Sequence, residues 1–195
     1  MSAVIAEHRD IQLAHIAAQF KYDPLGYVCA AFPWGQAGSQ LEPYQGPCPC
    51  QIKILTMLGD AMMARRFDGQ NPVKPIRIAV SSGHGIGKSA VCGMLADWIR
   101  VCWPYSQGSA TANTFTQLST KTWANIRKWQ KLSIFAHWFE ATSERIYKPE
   151  DKDSWFLSTQ SSAEENSEAF AGQHAANPRG IARSDGRQRG QAGGD

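Results

Sequence analysis

"RIAVSSGHGIGKSAVCGMLADWI", residues 77–99, sets an apolar run, a glycine-rich loop and an amphipathic stretch in direct succession. Ile76 to Val80 reads as a short strand. Gly83, Gly85 and Gly87 give the loop the freedom to turn backbone N–H groups inward around an anion. From Lys88 to Cys102, the residues Val91, Met94, Leu95, Trp98, Ile99 and Cys102 recur at i, i+3, i+4, i+7, i+8 and i+11, the stripe of a helix with one buried face. Pro104 ends it.

The loop carries a specific chemistry. Gly87-Lys88-Ser89 fits the end of the Walker A pattern, which asks for glycine, four residues, then Gly-Lys-Ser/Thr. Ser82 stands where the first glycine belongs, and Gly83 and Gly85 partly restore the lost flexibility. The expected ligand is ATP with Mg²⁺, held by Gly83, His84, Gly85, Ile86, Gly87, Lys88 and Ser89. Lys88 would reach the β- and γ-phosphates, the Ser89 hydroxyl would complete the Mg²⁺ shell, and the helix N-terminus would face the anion. The competing reading is a glycine-rich turn with an incidental lysine; the flanking strand and helix speak against it. His84 reads as an exposed loop residue rather than a catalytic one.

Hydrolysis asks for more. P-loop ATPases end a second strand in an Asp that holds the Mg²⁺ shell, and many add a Glu that orients the attacking water. No stretch after Lys88 matches. "SWFLSTQSS" (154–162) ends in hydroxyls, Glu164 and Glu165 sit in a helix-capping context, and Asp185 and Asp195 follow no strand. The expectation is ATP binding without efficient turnover, and no catalytic residue is assigned.

Outward from the loop, a helix is predicted over Gln51 to Arg66, with Leu55, Leu58 and Met62 at helical spacing, broken by "FDGQNPVKP". Residues 1–48 read as an arm. It holds one helix carrying Leu13, Ile16, Ala17 and Phe20, then the turn-rich "FPWGQAGSQLEPYQGP" (32–47). Downstream, "GSATAN" (108–113) is a weak strand. Thr114 to Gln117 is a capping box opening a helix with Phe115, Leu118, Trp123, Ile126 and Trp129 on one side. "RIYKPEDKDSWFLST" (145–159) forms two strands around a charged turn. Ser161 or Ser162 with Glu164 or Glu165 caps a short helix through Phe170. Strands alternating with helices predict an α/β fold with a parallel sheet. From Asn177 the chain is Gly- and Arg-rich and is expected to be disordered. The division is therefore an arm (1–48), a partial nucleotide-binding domain (49–176) and a tail (177–195).

Composition narrows the class. The chain has 195 residues, is 43% hydrophobic and carries seven Trp, enough for a real core. A net charge of +3 announces no nucleic-acid partner by itself. Five cysteines without a signal peptide read as thiols in a reducing cytoplasm. Cys48-Pro49-Cys50 has no matching Cys/His pair and makes a poor zinc site. No apolar run approaches the roughly 20 residues of a membrane span.

Several blocks taken in order, "DPLGYVCAAFPWG" (23–35), "GPCPCQIKIL" (46–55), "SSGHGIGKSA" (81–90), "TANTFTQLSTKTWANIRKW" (111–129), "HWFE" (137–140) and "EENSEAFAGQHAAN" (164–177), resemble the start of the large subunit of tailed-phage terminases, the motors that package DNA into procapsids. The resemblance implies a helicase-like P-loop ATPase domain followed by an RNase H-like nuclease. It implies double-stranded DNA, a portal protein and a small terminase subunit as partners in a bacterial host. Family members place an aromatic–Gln pair ahead of the loop, the Gln reading adenine. Gln51 matches, while Cys50 replaces the aromatic residue; the alternative for Gln51 is a surface position at a helix start. Thr111 to Asn113 resembles a segment that can face DNA in such motors; the alternative is an ordinary strand-to-helix connection with Thr114 as cap. After "FAGQHAAN" relatives continue into an apolar strand with an Asp-Glu pair and then the nuclease carboxylates. Here "PRGIARSDGRQRGQAGGD" follows, as a frameshift or truncation in a prophage gene would produce. The alternative function is an inert prophage remnant or a non-catalytic binding module for packaging partners. A different P-loop enzyme, such as a small-molecule kinase, fits the arm and the Trp-rich helix less well.

Overall fold

A computed structural model describes residues 2–68, 71–81, 87–112 and 114–160, with side chains from Glu7 onward. Its centre is helix α4 (Lys88–Cys102), which matches the predicted span. Val91, Met94, Trp98, Val101 and Cys102 are buried on it. Ile99, expected on the inner face, is instead exposed, because the buried stripe turns toward Val101 and admits two polar residues, Asp97 and Arg100.

Two helices precede α4 in the arm and pack on the same core. Helix α1 (Ser2–Gln19) buries Leu13 and Ala17, as its spacing predicts. Helix α2 (Pro24–Ala31) corrects the expectation of one helix in the arm and precedes the turn-rich 32–47. Its local signals are nevertheless strong: Asp23 caps it by accepting from the Gly26 N–H at 2.8 Å, and Pro24 occupies the first turn. Tyr27, Val28 and Ala31 are buried on it. Helix α3 (Pro49–Arg65) starts slightly earlier than expected and buries Leu55 and Met62.

After α4 comes strand β1 (Gln107–Ala110), then a helical stretch made of α5 (Phe115–Gln117), a π-helical turn (Leu118–Trp123) and α6 (Ala124–Leu132). Thr114 caps α5, accepting from the Gln117 N–H at 3.1 Å. The π turn explains how Leu118 and Trp123, five residues apart, both face inward with Ile126 and Trp129. Phe115 does not join them and is 58% exposed, a correction to the predicted face. Helix α6 crosses α4 at Gly93, where any side chain would meet the Trp129 ring; a Cβ there would lie 2.5 Å from its Cδ1.

The sheet departs from the parallel arrangement expected. Strands β2 (Glu140–Ala141), β3 (Arg145–Tyr147) and β4 (Phe156–Thr159) join β1 in the order β1-β4-β3-β2, and the β1–β4 pair alone is parallel. Short connections force the other pairs antiparallel, since a parallel pair needs a crossover, and α6 supplies one only between β1 and β4. The second correction concerns Ile76 to Val80, which belong to no strand. Ile78 is 40% exposed and Val80 42%. A strand exists only through a partner's ladder, and among the described residues none offers one here. The structure is thus α/β with a small mixed sheet. The predicted helix through Phe170 and the tail from Asn177 lie outside the described residues. No helix among the described residues is long and apolar enough to cross a membrane.

Candidate nucleotide-binding site

The site is assembled where α3 and α4 begin. Gly87 caps α4 in the left-handed region, at φ 83° and ψ 20°. A Cβ at this position would stand 2.5 Å from the Gln51 Nε2, so both the torsion and the space demand glycine. The chain then enters the helix directly. Lys88 and Ser89 are its first two residues, Lys88 half-buried and Ser89 exposed. The first-turn N–H groups of a helix have no partner within it, and they carry the positive end of its dipole. No acidic residue occupies the first turn of α4 to compete for an anion. Gly83, His84, Gly85 and Ile86 lie outside the described residues, as does Asn113.

Gln51 joins the two helices. It is the third residue of α3, and its Oε1 accepts from the Cys48 N–H at 2.9 Å, the side-chain half of a capping box. Its Nε2 donates to the Gly87 carbonyl at 3.2 Å, and that carbonyl also accepts from the Val91 N–H. With 8% exposure, Gln51 is a helix-start residue but not a surface one. The sequence places it 36 positions from Gly87; folding brings the two into contact.

In P-loop ATPases the Mg²⁺ shell also draws on a carboxylate that follows a second strand. Asp97 is the buried acid of α4, but it sits nine residues beyond Lys88, about 13 Å along the helix axis. It is also fully engaged. Its Oδ1 accepts from Arg100 Nη2 at 2.9 Å and its Oδ2 from the Tyr27 hydroxyl at 2.7 Å. Burial raises the Asp97 pKa against the opposing pull of Arg100 and of the hydrogen bonds from Tyr27 and Ser133. Arg100 lies 5.3 Å from the Phe139 ring centroid, and its own carbonyl accepts from Trp155 Nε1 at 2.9 Å. This network escapes periodicity. Its one trace in the sequence is an Asp and an Arg three apart on the apolar stripe of α4.

Strand β4 ends in Ser158 and Thr159, as its sequence foretells, and no acid follows it through Gln160. Glu164 and Glu165 lie outside the described residues. No group of three or more His, Cys, Asp or Glu side chains gathers among the described residues to hold a metal. Thr111 is exposed and leads into the Thr114 cap, a strand-to-helix connection in form. An open concavity elsewhere is lined by Gln40 together with Arg127, Lys128 and Lys131 of α6, and it includes none of the loop residues. No family model, curated protein or solved structure matches this chain.

Proposed function

We propose that the chain is the N-terminal ATP-binding portion of a phage terminase large subunit. The observation that carries the nucleotide half of this proposal is the junction at Gly87. A left-handed glycine wedged against Gln51 delivers Lys88 and Ser89 to the N-terminus of a 15-residue helix. Backbone N–H groups and the helix dipole favour the triphosphate there, Lys88 adds the charge aimed at its outer phosphates, and the exposed Ser89 hydroxyl suits Mg²⁺. Gln51 touches the last loop glycine, which keeps it beside the nucleotide in this proposal. The phage assignment rests on the ordered blocks of resemblance alone. Double-stranded DNA, a portal protein and a small terminase subunit are its proposed partners.

Binding is proposed without efficient hydrolysis, because no strand among the described residues after Lys88 leads directly into an acid. The alternative is a non-catalytic module for packaging partners.

The test is affinity for a fluorescent ATP analogue with Mg²⁺. Charge-assisted hydrogen bonds contribute about 1.5–3 kcal/mol, so Lys88→Ala should weaken binding by about ten- to a hundredfold. Equal binding by both proteins removes the loop as the site. Turnover of ATP above about 1 per second, lost in Lys88→Ala, would overturn the claim of poor hydrolysis.

A further inference from the structure

Two thiols stand at the start of α3, and the proposed function uses neither. Cys48 caps the helix, Pro49 follows, and Cys50 comes next. Their sulfurs are 2.9 Å apart and both residues are partly accessible. A disulfide bond measures about 2.05 Å, so closure asks the sulfurs to approach by less than about 1 Å. The two thiols are also differentiated. Burial disfavours the Cys48 thiolate, but the Cys50 thiol and the backbone N–H groups of Gln51 and Cys50 donate to it and bring its pKa below the usual value. Cys50 is raised, first by donating to Cys48 and then by burial. One sulfur is thereby equipped to attack and its neighbour to resolve. No third ligand side chain among the described residues completes a metal site with them.

We propose that Cys48 and Cys50 form a thiol–disulfide exchange site that reacts with low-molecular-weight disulfides and, once oxidised, loosens the link between α3 and the start of α4. The Cys48 thiolate attacks one sulfur of the disulfide RSSR, forming Cys48–S–S–R and releasing RS⁻, which takes up the proton that Cys48 lost. Cys50, deprotonated in turn, attacks the Cys48 sulfur and releases a second RS⁻, which is protonated. Two protein thiols are oxidised to one disulfide, and one disulfide is reduced to two thiols.

The link that responds is Gln51. In the reduced protein its amide holds the Cys48 N–H on one side and the Gly87 carbonyl on the other. Closing the Cys48–Pro49–Cys50 segment into a small ring redirects the Cys48 N–H and removes the sulfur as a thiolate acceptor for the first turn. The capping box opens, and Gly87 loses the side chain that steadies it. The site itself stands without the nucleotide assignment; only the consequence for ATP affinity rests on it.

The test uses the full chain, reduced, freed of reductant and treated with glutathione disulfide. Peptide mapping by mass spectrometry should find the loss of two hydrogens between Cys48 and Cys50. That bridge should form about tenfold faster than glutathione adducts at Cys29 and Cys92, whose thiols are raised by burial. Amide exchange at Val91, whose N–H bonds the Gly87 carbonyl, should quicken at least about threefold in the bridged form and return on reduction, while residues 124–132 stay unchanged. Cys50→Ser should stop at a glutathione adduct on Cys48. Lasting adducts on both cysteines, a Cys48 no faster than Cys29, or a bridge that leaves Val91 exchange unaltered would each overturn the proposal. A bridge that quickens exchange in a protein that binds no ATP would uphold it and overturn the nucleotide assignment instead.

Discussion

The two ends of α4 (Lys88–Cys102) are built on opposite principles. At the C-terminal end, Asp97, Trp98, Arg100, Val101 and Cys102 are all buried, and every neighbouring element reaches in. Tyr27 of α2 bonds Asp97, Trp98 Nε1 donates to the Phe20 carbonyl, and Trp155 donates to the Arg100 carbonyl. At the N-terminal end, Ser89 is exposed, and the described link is the Gln51 bond to Gly87. The lesson is a division of labour along one helix. Its far half is anchored by aromatic packing and a buried ion pair, while its first turn is joined to α3 through Gln51 and Gly87.

The largest expected effect breaks the anchored end. Asp97→Ala leaves the Arg100 guanidinium buried without its counter-charge and the Tyr27 hydroxyl without its acceptor, and should cost about 3–5 kcal/mol in chemical denaturation. The double replacement Asp97→Leu with Arg100→Met should recover much of that loss, because it removes both charges from the core. A loss no greater for Asp97→Ala than for an exposed position such as Glu42→Ala would end the comparison.

At the open end the effect is smaller and of another kind. Gly87→Ala meets both a left-handed torsion and the Gln51 amide. It should lower stability by about 1–2 kcal/mol yet abolish most affinity for the ATP analogue. Should it instead leave binding intact, the Gly87 junction does not shape the site. Lys88→Ala sharpens the contrast further, since its main effect should be on affinity.

The smallest effect concerns the surface contact between the arm and the segment after α6. The Asp10 carboxylate accepts from His137 at 2.8 Å and from Trp138 Nε1 at 3.1 Å. The hydrogen bonds from His137 and Trp138 hold its pKa below 3.8. A depressed carboxylate stabilises the fold above its unfolded pKa, and that contribution disappears as pH falls through the folded value. A minor part of the stability loss below about pH 4 should therefore be missing from Asp10→Asn, as followed by acid titration of the fluorescence of the tryptophans.

Several elements were legible because their signals are local. The span of α4 follows from glycine before it, apolar periodicity along it and Pro104 beyond it. The Thr114 cap and the β3–β4 hairpin follow from short-range chemistry in the same way. Helix α2 was legible too, in Asp23-Pro24, but the surrounding glycines, prolines and aromatics masked it. The loop residues Lys88 and Ser89 could be named from spacing, whereas the Gln51–Gly87 contact could not, since periodicity carries no information about which helix starts will meet.

The sequence by itself determined where α4 begins and ends, that Val91, Met94, Trp98 and Cys102 lie on its inner face, and that a Gly-Lys-Ser junction opens it. These depend on torsional preference and periodicity within one stretch of chain. Only the tertiary structure decided that the sheet is mixed and that Ile76 to Val80 stay out of it. Only it decided that Asp97 and Arg100 are interior, and that Cys48, Gln51 and Gly87 form one connected cap. The physical reason is the same in each case: ladders, ion pairs and shared hydrogen bonds need a partner from a distant stretch. Whether that partner arrives is settled by packing.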